Sequence, residues 1–151
     1  MGLELSNFEK RTSEFLDAVA LFPDRDRSLA PDGEWSAAFI IHHVADAELH
    51  FAARYWHILG SENPVMPYFD EDKYPSALGY ANRSLNKSLA AIVGVRAMVL
   101  DVLKDVDQSA AVRITTAPDG AIFSLADLLE KAGAHLAAHT EQLSQLRSSL
   151  S

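Results

Sequence analysis

The strongest constraint on the fold is that four long segments repeat their apolar residues with the 3.6-residue period of an α-helix. These segments cover about residues 3–22, 36–59, 77–106 and 124–149, and the loops between them carry the prolines, which a helix interior does not tolerate. A length of 151 residues is typical of one domain. We therefore predict an all-α fold, a single four-helix-bundle domain over residues 1–151.

Local signals mark where these helices begin and end. Pro23 stops the first helix, and Gly60 follows the second. Ser36 can accept a hydrogen bond from an early backbone amide as the N-cap of the second helix. At the start of the last helix, Ser124 and Asp127 form a variant of the capping box. The boundaries of the second and fourth helices are therefore the best marked.

Two of the connections should be ordered. The first, residues 61–76, is too rich in prolines for a helix and too aromatic for a free linker. Its aromatic residues are Tyr68, Phe69 and Tyr74. We expect this connection to pack down as a lid and to form part of a pocket wall. The second contains two short apolar runs, residues 112–115 and 121–123, around a Pro-Asp-Gly turn, and this pattern predicts a small hairpin.

Composition excludes several classes of function. With 21 acidic and 13 basic side chains, the net charge of −8 repels phosphate backbones, so we expect no nucleic-acid partner. No apolar run approaches the roughly 20 residues that span a bilayer, and we expect no membrane association. The absence of cysteine excludes disulfides and thiolate metal ligands, which suits a cytoplasmic protein. Any thiol chemistry must therefore use a thiol from a substrate.

Two histidines, His135 and His139, lie one helical turn apart in the middle of the apolar face of the last helix. That face is formed by Leu125, Leu128, Ala132, Leu136, Leu143, Leu146 and Leu150. A buried imidazole needs partners for both ring nitrogens, and a shared divalent cation would satisfy one nitrogen of each ring. The pair is therefore a candidate metal site. The alternative is that the rings hydrogen-bond to neighbours or lie at the wet rim of the bundle.

The other histidines, His42, His43, His50 and His57, all lie on the second helix. At 1.5 Å rise per residue, His50 is about 10 Å and His57 about 21 Å along the axis from His43, too far for all of them to share one ion. On the helical wheel His43 lies at the margin of the buried face, whereas His42 points nearly the opposite way. We favour His43 as the third ligand and expect the others to be exposed or at the rim.

Glu48 lies inside the apolar face of the second helix, where a carboxylate needs a partner. It could pair across the bundle with Arg54, Arg83 or Arg96, or it could orient a metal ligand or act as the base for a water on the metal. Both interpretations stay open. Asp46 is either a surface residue or an acceptor for a hydrogen bond from a ligand histidine.

Three patches of the chain resemble the DinB/YfiT-like superfamily of small four-helix metalloproteins. Residues 31–36, which lead into residues 43–48, are similar to the Trp-Ser opening of that family and its H-x-x-D-x-E core. Residues 63–72 are similar to its proline-rich connection, which ends in an acidic run. Residues 135–142 resemble its H-x-x-x-H-x-x-Q helix. The resemblance covers nearly the whole chain, and the order and spacing agree throughout.

The resemblance implies that His43, His135 and His139 form a three-histidine site for zinc, nickel or a similar divalent ion. It also implies homodimers, as in many members. Around the three ligands we place Asp46, His50, Tyr68, Phe69 and Gln142 as pocket residues or hydrogen-bond partners, and Glu48 as the catalytic candidate. Three protein ligands leave positions open for water or substrate, which is typical of a catalytic site.

Characterised relatives include transferases that use low-molecular-weight thiols such as bacillithiol or mycothiol. The preferred hypothesis is therefore a metal-dependent enzyme that transfers such a thiol to an electrophilic or toxic small molecule through a metal-activated thiolate. The nearest alternative is a metal-dependent hydrolase with Glu48 as base. A further alternative is a stress-response dimer that binds the metal without turnover.

Overall fold

The computed structural model describes residues 3–62 and 64–151. Its helices are α1 (Phe8–Ala20), α2 (Ala37–Gly60), α3 (Tyr74–Ala77), α4 (Leu85–Leu103) and α5 (Leu125–Leu150), and its strands are β1 (Ile114–Thr116) and β2 (Ile122–Ser124). Asn63, the first residue of the proline-rich patch, lies outside the described residues, as do Met1 and Gly2. Within the described part, no helix is both long enough and apolar enough to cross a membrane.

The predicted caps of α2 and α5 are present. The Ser36 hydroxyl accepts a hydrogen bond from the backbone amide of Phe39 at 3.1 Å. At the start of α5, the Ser124 hydroxyl accepts from the Asp127 amide at 3.0 Å, and the Asp127 carboxylate accepts from the Ser124 amide at 2.8 Å. This reciprocal pair is a complete capping box, so the helix that carries two candidate ligands begins at a defined residue.

The third predicted helix, residues 77–106, starts too early. The long helix α4 begins only at Leu85, because Ser84 caps it by accepting from the Lys87 amide. Before it, α3 ends near Gly79, whose positive φ of 61° breaks the helical path. The first helix is also shorter than the predicted residues 3–22.

The bundle is organised around α2. This helix packs against α4 on one side and α5 on the other, and α1 covers α5. Large side chains that are fully buried include Phe15, Ile40, Ile41, Tyr55, Ile58, Ile92, Leu103, Leu125, Leu128, Leu136 and Leu143. Because α2 is covered on two sides, it has more buried positions than a helix with one apolar face.

The hairpin forms as predicted and fastens the proline-rich connection to the bundle. Strands β1 and β2 pair in antiparallel register, with Thr116 opposite Ile122. The Thr116 carbonyl accepts from the Met66 amide at 2.9 Å, and the Thr115 hydroxyl donates to the Pro64 carbonyl at 3.0 Å. These bonds hold the start of the connection against the bundle, in the lid position expected from its composition.

Candidate metal centre

Three imidazoles from two helices meet at one point of the bundle. His43 comes from α2, and His135 and His139 come from α5. The Nε2 atom of His135 lies 3.0 Å from Nε2 of His43 and 3.1 Å from Nε2 of His139. One ligand nitrogen from each ring lies within 4.8 Å of the others. The three residues that the sequence predicts as ligands therefore form one cluster, although 92 residues separate His43 from His135.

Two of the three separations within this cluster fit a shared ion. Two nitrogens bound to one zinc lie about 2.9 Å apart at a right angle and about 3.3 Å apart in a tetrahedron. The two Nε2 distances at His135 fall between these values. Its other ring nitrogen, Nδ1, is buried and has no hydrogen-bond partner in the described structure. Three imidazole nitrogens at one point are a donor set that divalent transition ions prefer.

A hydrogen bond next to the cluster sets the tautomer of one imidazole. Nδ1 of His139 lies 2.7 Å from Oε1 of Gln142, one turn further along α5. Since this oxygen can only accept, His139 carries its proton on Nδ1 and presents a lone pair at Nε2. Such an arrangement orients a ligand ring and keeps it ready for an ion. Gln142 thus lies where a hydrogen-bond partner of a ligand was predicted.

Burial keeps the imidazoles of the cluster neutral. Burial, together with the neighbouring His139, lowers the pKa of His43 to about 4. Burial lowers the pKa of His135 to about 3, again with help from the other two imidazoles. For His139 the same cause lowers the pKa, while the bond to Gln142 opposes the shift. Neutral imidazoles bind cations without first releasing a proton.

Aromatic rings shield the cluster. The Trp35 ring is stacked on His139, with centroids 6.1 Å apart, and meets His43 edge-on at 5.0 Å. On another side, Phe69 of the proline-rich connection stacks on His43 at 5.7 Å. These rings limit the access of water and lower the local dielectric constant. The contact of Trp35 with the candidate ligands could not be predicted from the sequence, which marked Trp35 as part of the Trp-Ser opening of α2.

The lid reaches the site through His50 and two aromatic residues. The Tyr74 hydroxyl lies 2.9 Å from Nε2 of His50, and the Phe69 ring packs against both, with its centroid 4.7 Å from that of His50 and 4.9 Å from that of Tyr74. His50 is therefore a contact of the lid and lies at the rim, as expected. Tyr68, in contrast, is 71% exposed and lies at the mouth of the neighbouring cavity.

A cavity of about 680 Å³ adjoins the cluster at His135. Its apolar wall is formed by Phe51, Met66, Phe69 and Phe123, and its charged residues are Arg54, Glu71, Asp119 and Lys131. This volume is in the range that binds small organic molecules. The cavity therefore offers a place for a substrate beside the candidate metal ligands.

Glu48 forms an ion pair instead of facing the cluster. Its Oε1 accepts from the Arg96 guanidinium at 3.0 Å, and both side chains are almost fully buried. Arg96 also donates to the Thr12 hydroxyl at 2.6 Å and to the Phe8 carbonyl at 3.1 Å. On α2, Glu48 lies about 140° around the helix axis from His43. Of the two interpretations that the sequence left open for Glu48, the structure therefore shows the pairing with an arginine.

Two expectations about α2 are corrected. Asp46 is not a surface residue, since it is buried and accepts hydrogen bonds at 2.7 Å from both the Tyr80 hydroxyl and the Arg83 guanidinium. His42 is only 2% exposed, and its Nδ1 lies 2.8 Å from the Ser88 hydroxyl of α4. Both corrections have related causes: α4 and the segment just before it, residues 78–84, cover the face of α2 that a wheel with one apolar side assigns to solvent. His57 is exposed, as expected.

Fold and site together define a helical bundle with a candidate three-histidine metal centre beside a small-molecule cavity. The family model of the DinB superfamily matches residues 7–143. This chain therefore belongs to the DinB superfamily, which confirms the resemblance.

Individual relatives agree in fold. YfiT from Bacillus subtilis, described as a probable metal-dependent hydrolase with an unusual four-helix bundle topology, matches with a TM-score of 0.87 at 20% identity, over 97% of this chain and 85% of that chain. A mycothiol-dependent maleylpyruvate isomerase matches with a TM-score of 0.73 at 15% identity, over 92% of this chain and 58% of that chain. These matches confirm the four-helix bundle.

A match in sequence covers less of the chain. A candidate metal-dependent hydrolase of Oceanobacillus iheyensis is 30% identical over 71 residues, which are 46% of this chain and 41% of that protein. The match thus spans less than half of either protein.

Proposed function

We propose that this protein is a divalent-metal-dependent enzyme acting on small molecules, with zinc or nickel held by His43, His135 and His139. The observation that carries the proposal is the meeting of three neutral imidazoles beside a cavity of substrate size. Three protein ligands leave coordination positions for a substrate, as in catalytic zinc sites. The metal dependence described for two relatives agrees with this assignment.

The reaction we favour is the transfer of a low-molecular-weight thiol to an electrophilic or toxic substrate. A divalent ion at such a site supplies Lewis acidity, which lowers the pKa of a thiol or a water molecule that reaches it. A thiol, with an ordinary pKa of about 8.5, needs a much smaller shift than water at about 15.7. Among the described residues, no carboxylate belongs to the histidine cluster, so a nucleophile that needs no separate base is favoured. The mycothiol dependence of one structural relative supports the same choice.

The protein's own residues would orient and shield the reactants. Gln142 holds the proton of His139 at Nδ1, which keeps Nε2 free for the ion. Trp35 and Phe69 limit water around the imidazoles, while Phe69 and the mouth residue Tyr68 line the cavity in which the electrophile would lie. The proposed roles of these residues are thus to position ligands and to exclude water.

A hydrolase is the second candidate, because two relatives are described as hydrolases. Its weakness is the base, since Glu48 is engaged with Arg96. A stress-response dimer that binds the ion without turnover is the third candidate. Homodimer formation, a cytoplasmic location and the absence of a nucleic-acid partner remain predictions.

The first test is metal analysis of protein purified without a histidine tag. We expect close to one zinc or nickel ion per chain, and its loss in His139→Ala. The exposed His57→Ala variant is the matched control and should keep the ion. A wild-type protein that holds only traces of metal, and binds none when zinc or nickel is added, would overturn all three candidates.

The second test distinguishes the transferase, the hydrolase and the binding protein. Wild type and His139→Ala are supplied with a panel of small thiols and 1-chloro-2,4-dinitrobenzene, and with a nitrophenyl ester in the absence of thiol. Metal-dependent thiol conjugation supports the transferase, and ester cleavage without thiol supports the hydrolase. A fully loaded protein with neither activity supports the binding protein.

A further inference from the structure

Arg54 is a buried cation that has no acidic partner among residues 3–62 and 64–151. Its side chain comes from α2 and lines the cavity, and the residue is only 9% exposed. Within the described residues, the guanidinium forms no ion pair. Its NH2 group lies 3.5 Å from the Pro67 carbonyl, and its Nε is buried without a hydrogen-bond partner in the described part of the chain. Glu71 and Asp119 line the same cavity without pairing with it.

The contrast with Arg96 shows how unusual this is within the bundle. Arg96 is buried more deeply, with 2% of the residue exposed, but it is satisfied by the Glu48 carboxylate, a hydroxyl and a carbonyl. A buried guanidinium stays protonated and is unfavourable unless an anion and hydrogen-bond acceptors compensate it. Burial lowers the pKa of Arg54. The compensation that Arg96 finds inside the protein is missing for Arg54.

The position of Arg54 relates it to the candidate metal centre. The guanidinium carbon of Arg54 lies 5.4 Å from the centroid of the Phe51 ring. The centroids of the Phe51 and His135 rings lie 6.1 Å apart. Phe51 thus contacts both groups along one wall of the cavity. A molecule on this wall would have an apolar surface beneath it, a cation near one end and the histidine cluster near the other.

We infer that Arg54 binds the carboxylate of the substrate, and that the substrates are small carboxylic acids with an apolar or aromatic body. A guanidinium presents paired N–H donors that match the two oxygens of a carboxylate. Lys131 also lines the cavity but is exposed, so Arg54 is the buried cation of this lining among the described residues. One buried cation beside apolar walls suits a monoanionic carboxylate better than a phosphate dianion. The position of the reacting atom near the histidines rests on the proposed function, whereas the binding of the carboxylate does not.

The test measures the binding of 3-phenylpropionate and of its neutral amide by NMR titration up to about 10 mM. Protein treated with a chelator is used first, so that the carboxylate cannot bind to an ion, and zinc-loaded protein second. We expect wild type to bind the carboxylate at least about tenfold more tightly than the amide. Arg54→Met should abolish that preference and leave the affinity for the amide unchanged, and Arg54→Lys should retain part of it. Arg147→Gln, an exposed arginine on α5, is the matched control.

Each outcome decides the inference. Equal binding of the two probes to wild type, no saturable binding of the carboxylate, or a preference that survives in Arg54→Met would overturn it. Tighter binding of inorganic phosphate than of the carboxylate, measured in the same way, would overturn the choice of carboxylate. If the protein holds metal and conjugates thiols but shows no preference for the carboxylate, this inference fails and the proposed function stands. If the protein prefers the carboxylate but binds no metal, this inference stands and the proposed function fails.

Discussion

Nδ1 of His139 and Oε1 of Gln142 lie 2.7 Å apart, one turn apart on the same helix. This bond leaves Nε2 of His139 facing the other two imidazoles, and it connects the shape of the candidate metal centre to a residue that would not itself bind an ion. Its energetic importance can be measured separately from that of the ligands.

Replacing Gln142 should weaken metal binding without unfolding the bundle. Without the acceptor, the imidazole of His139 is free to rotate and to change tautomer, and we expect Gln142→Ala to lose about 10- to 100-fold in zinc affinity. Competition with a chromophoric chelator measures this affinity. Gln142→Glu restores an acceptor and should recover most of it, and the exposed Gln145→Ala is the control. An unchanged affinity in Gln142→Ala would show that the bond does not orient the ligand.

His43→Ala should lose metal affinity while the helices remain. The core of leucine and aromatic side chains stabilises the bundle, and the histidine cluster is a small part of it. Circular dichroism and metal analysis of the same sample check this, with His57→Ala as the matched control. Collapse of the helical signal in His43→Ala would indicate that the ion is structural.

The Glu48–Arg96 pair should contribute to stability and not to metal binding. Glu48→Gln leaves the Arg96 charge buried with only neutral acceptors, and we expect a loss of about 3 kcal/mol in the free energy of unfolding. In the double variant Glu48→Gln/Arg96→Met, the loss should be smaller than the sum of the two single losses. Urea denaturation and metal analysis provide the two measurements. If Glu48→Gln is as stable as wild type but has an altered metal content, Glu48 acts at the metal centre and not in stability.

The metal-free protein should lose stability as the pH falls below about 6.5, the ordinary pKa of histidine. Burial lowers the pKa of His43 to about 4 and that of His135 to about 3 in the folded state. Between these values and about 6.5, the unfolded chain binds more protons than the folded one, so the free energy of unfolding decreases with falling pH. Each histidine contributes at most about 1.4 kcal/mol per pH unit.

Urea denaturation of chelator-treated protein at several pH values between about 7 and about 5 checks this slope. The variant His135→Leu should flatten it, whereas the exposed His57→Ala should not. A slope that is the same in wild type and in His135→Leu would mean that the buried imidazoles do not cause the acid sensitivity.

Much of this molecule follows from local pattern. Apolar periodicity predicted the bundle, Ser36 and Ser124 predicted the start of two helices, and the Pro-Asp-Gly turn predicted the hairpin. The three histidines could be selected because each lies at or near a buried helix face. The sequence did not predict that α4 starts as late as Leu85. Residues 77–84 have the mixed polarity of a helix surface, but they contain the turn at Gly79 and end at the Ser84 cap.

Properties that depend on which helix covers which face could not be obtained in this way. His42 is buried by α4 and Asp46 by the segment just before it, and a helical wheel contains no information about such a second neighbour. The sequence offered three arginines as partners for Glu48, and the packing of α4 and α1 decides that the partner is Arg96. Arg54 likewise becomes a buried cation only when the proline-rich connection and the hairpin close a cavity around it. Periodicity and capping act within a few residues along the chain, whereas burial, ion pairing and the shape of a cavity are set by segments that are far apart in sequence.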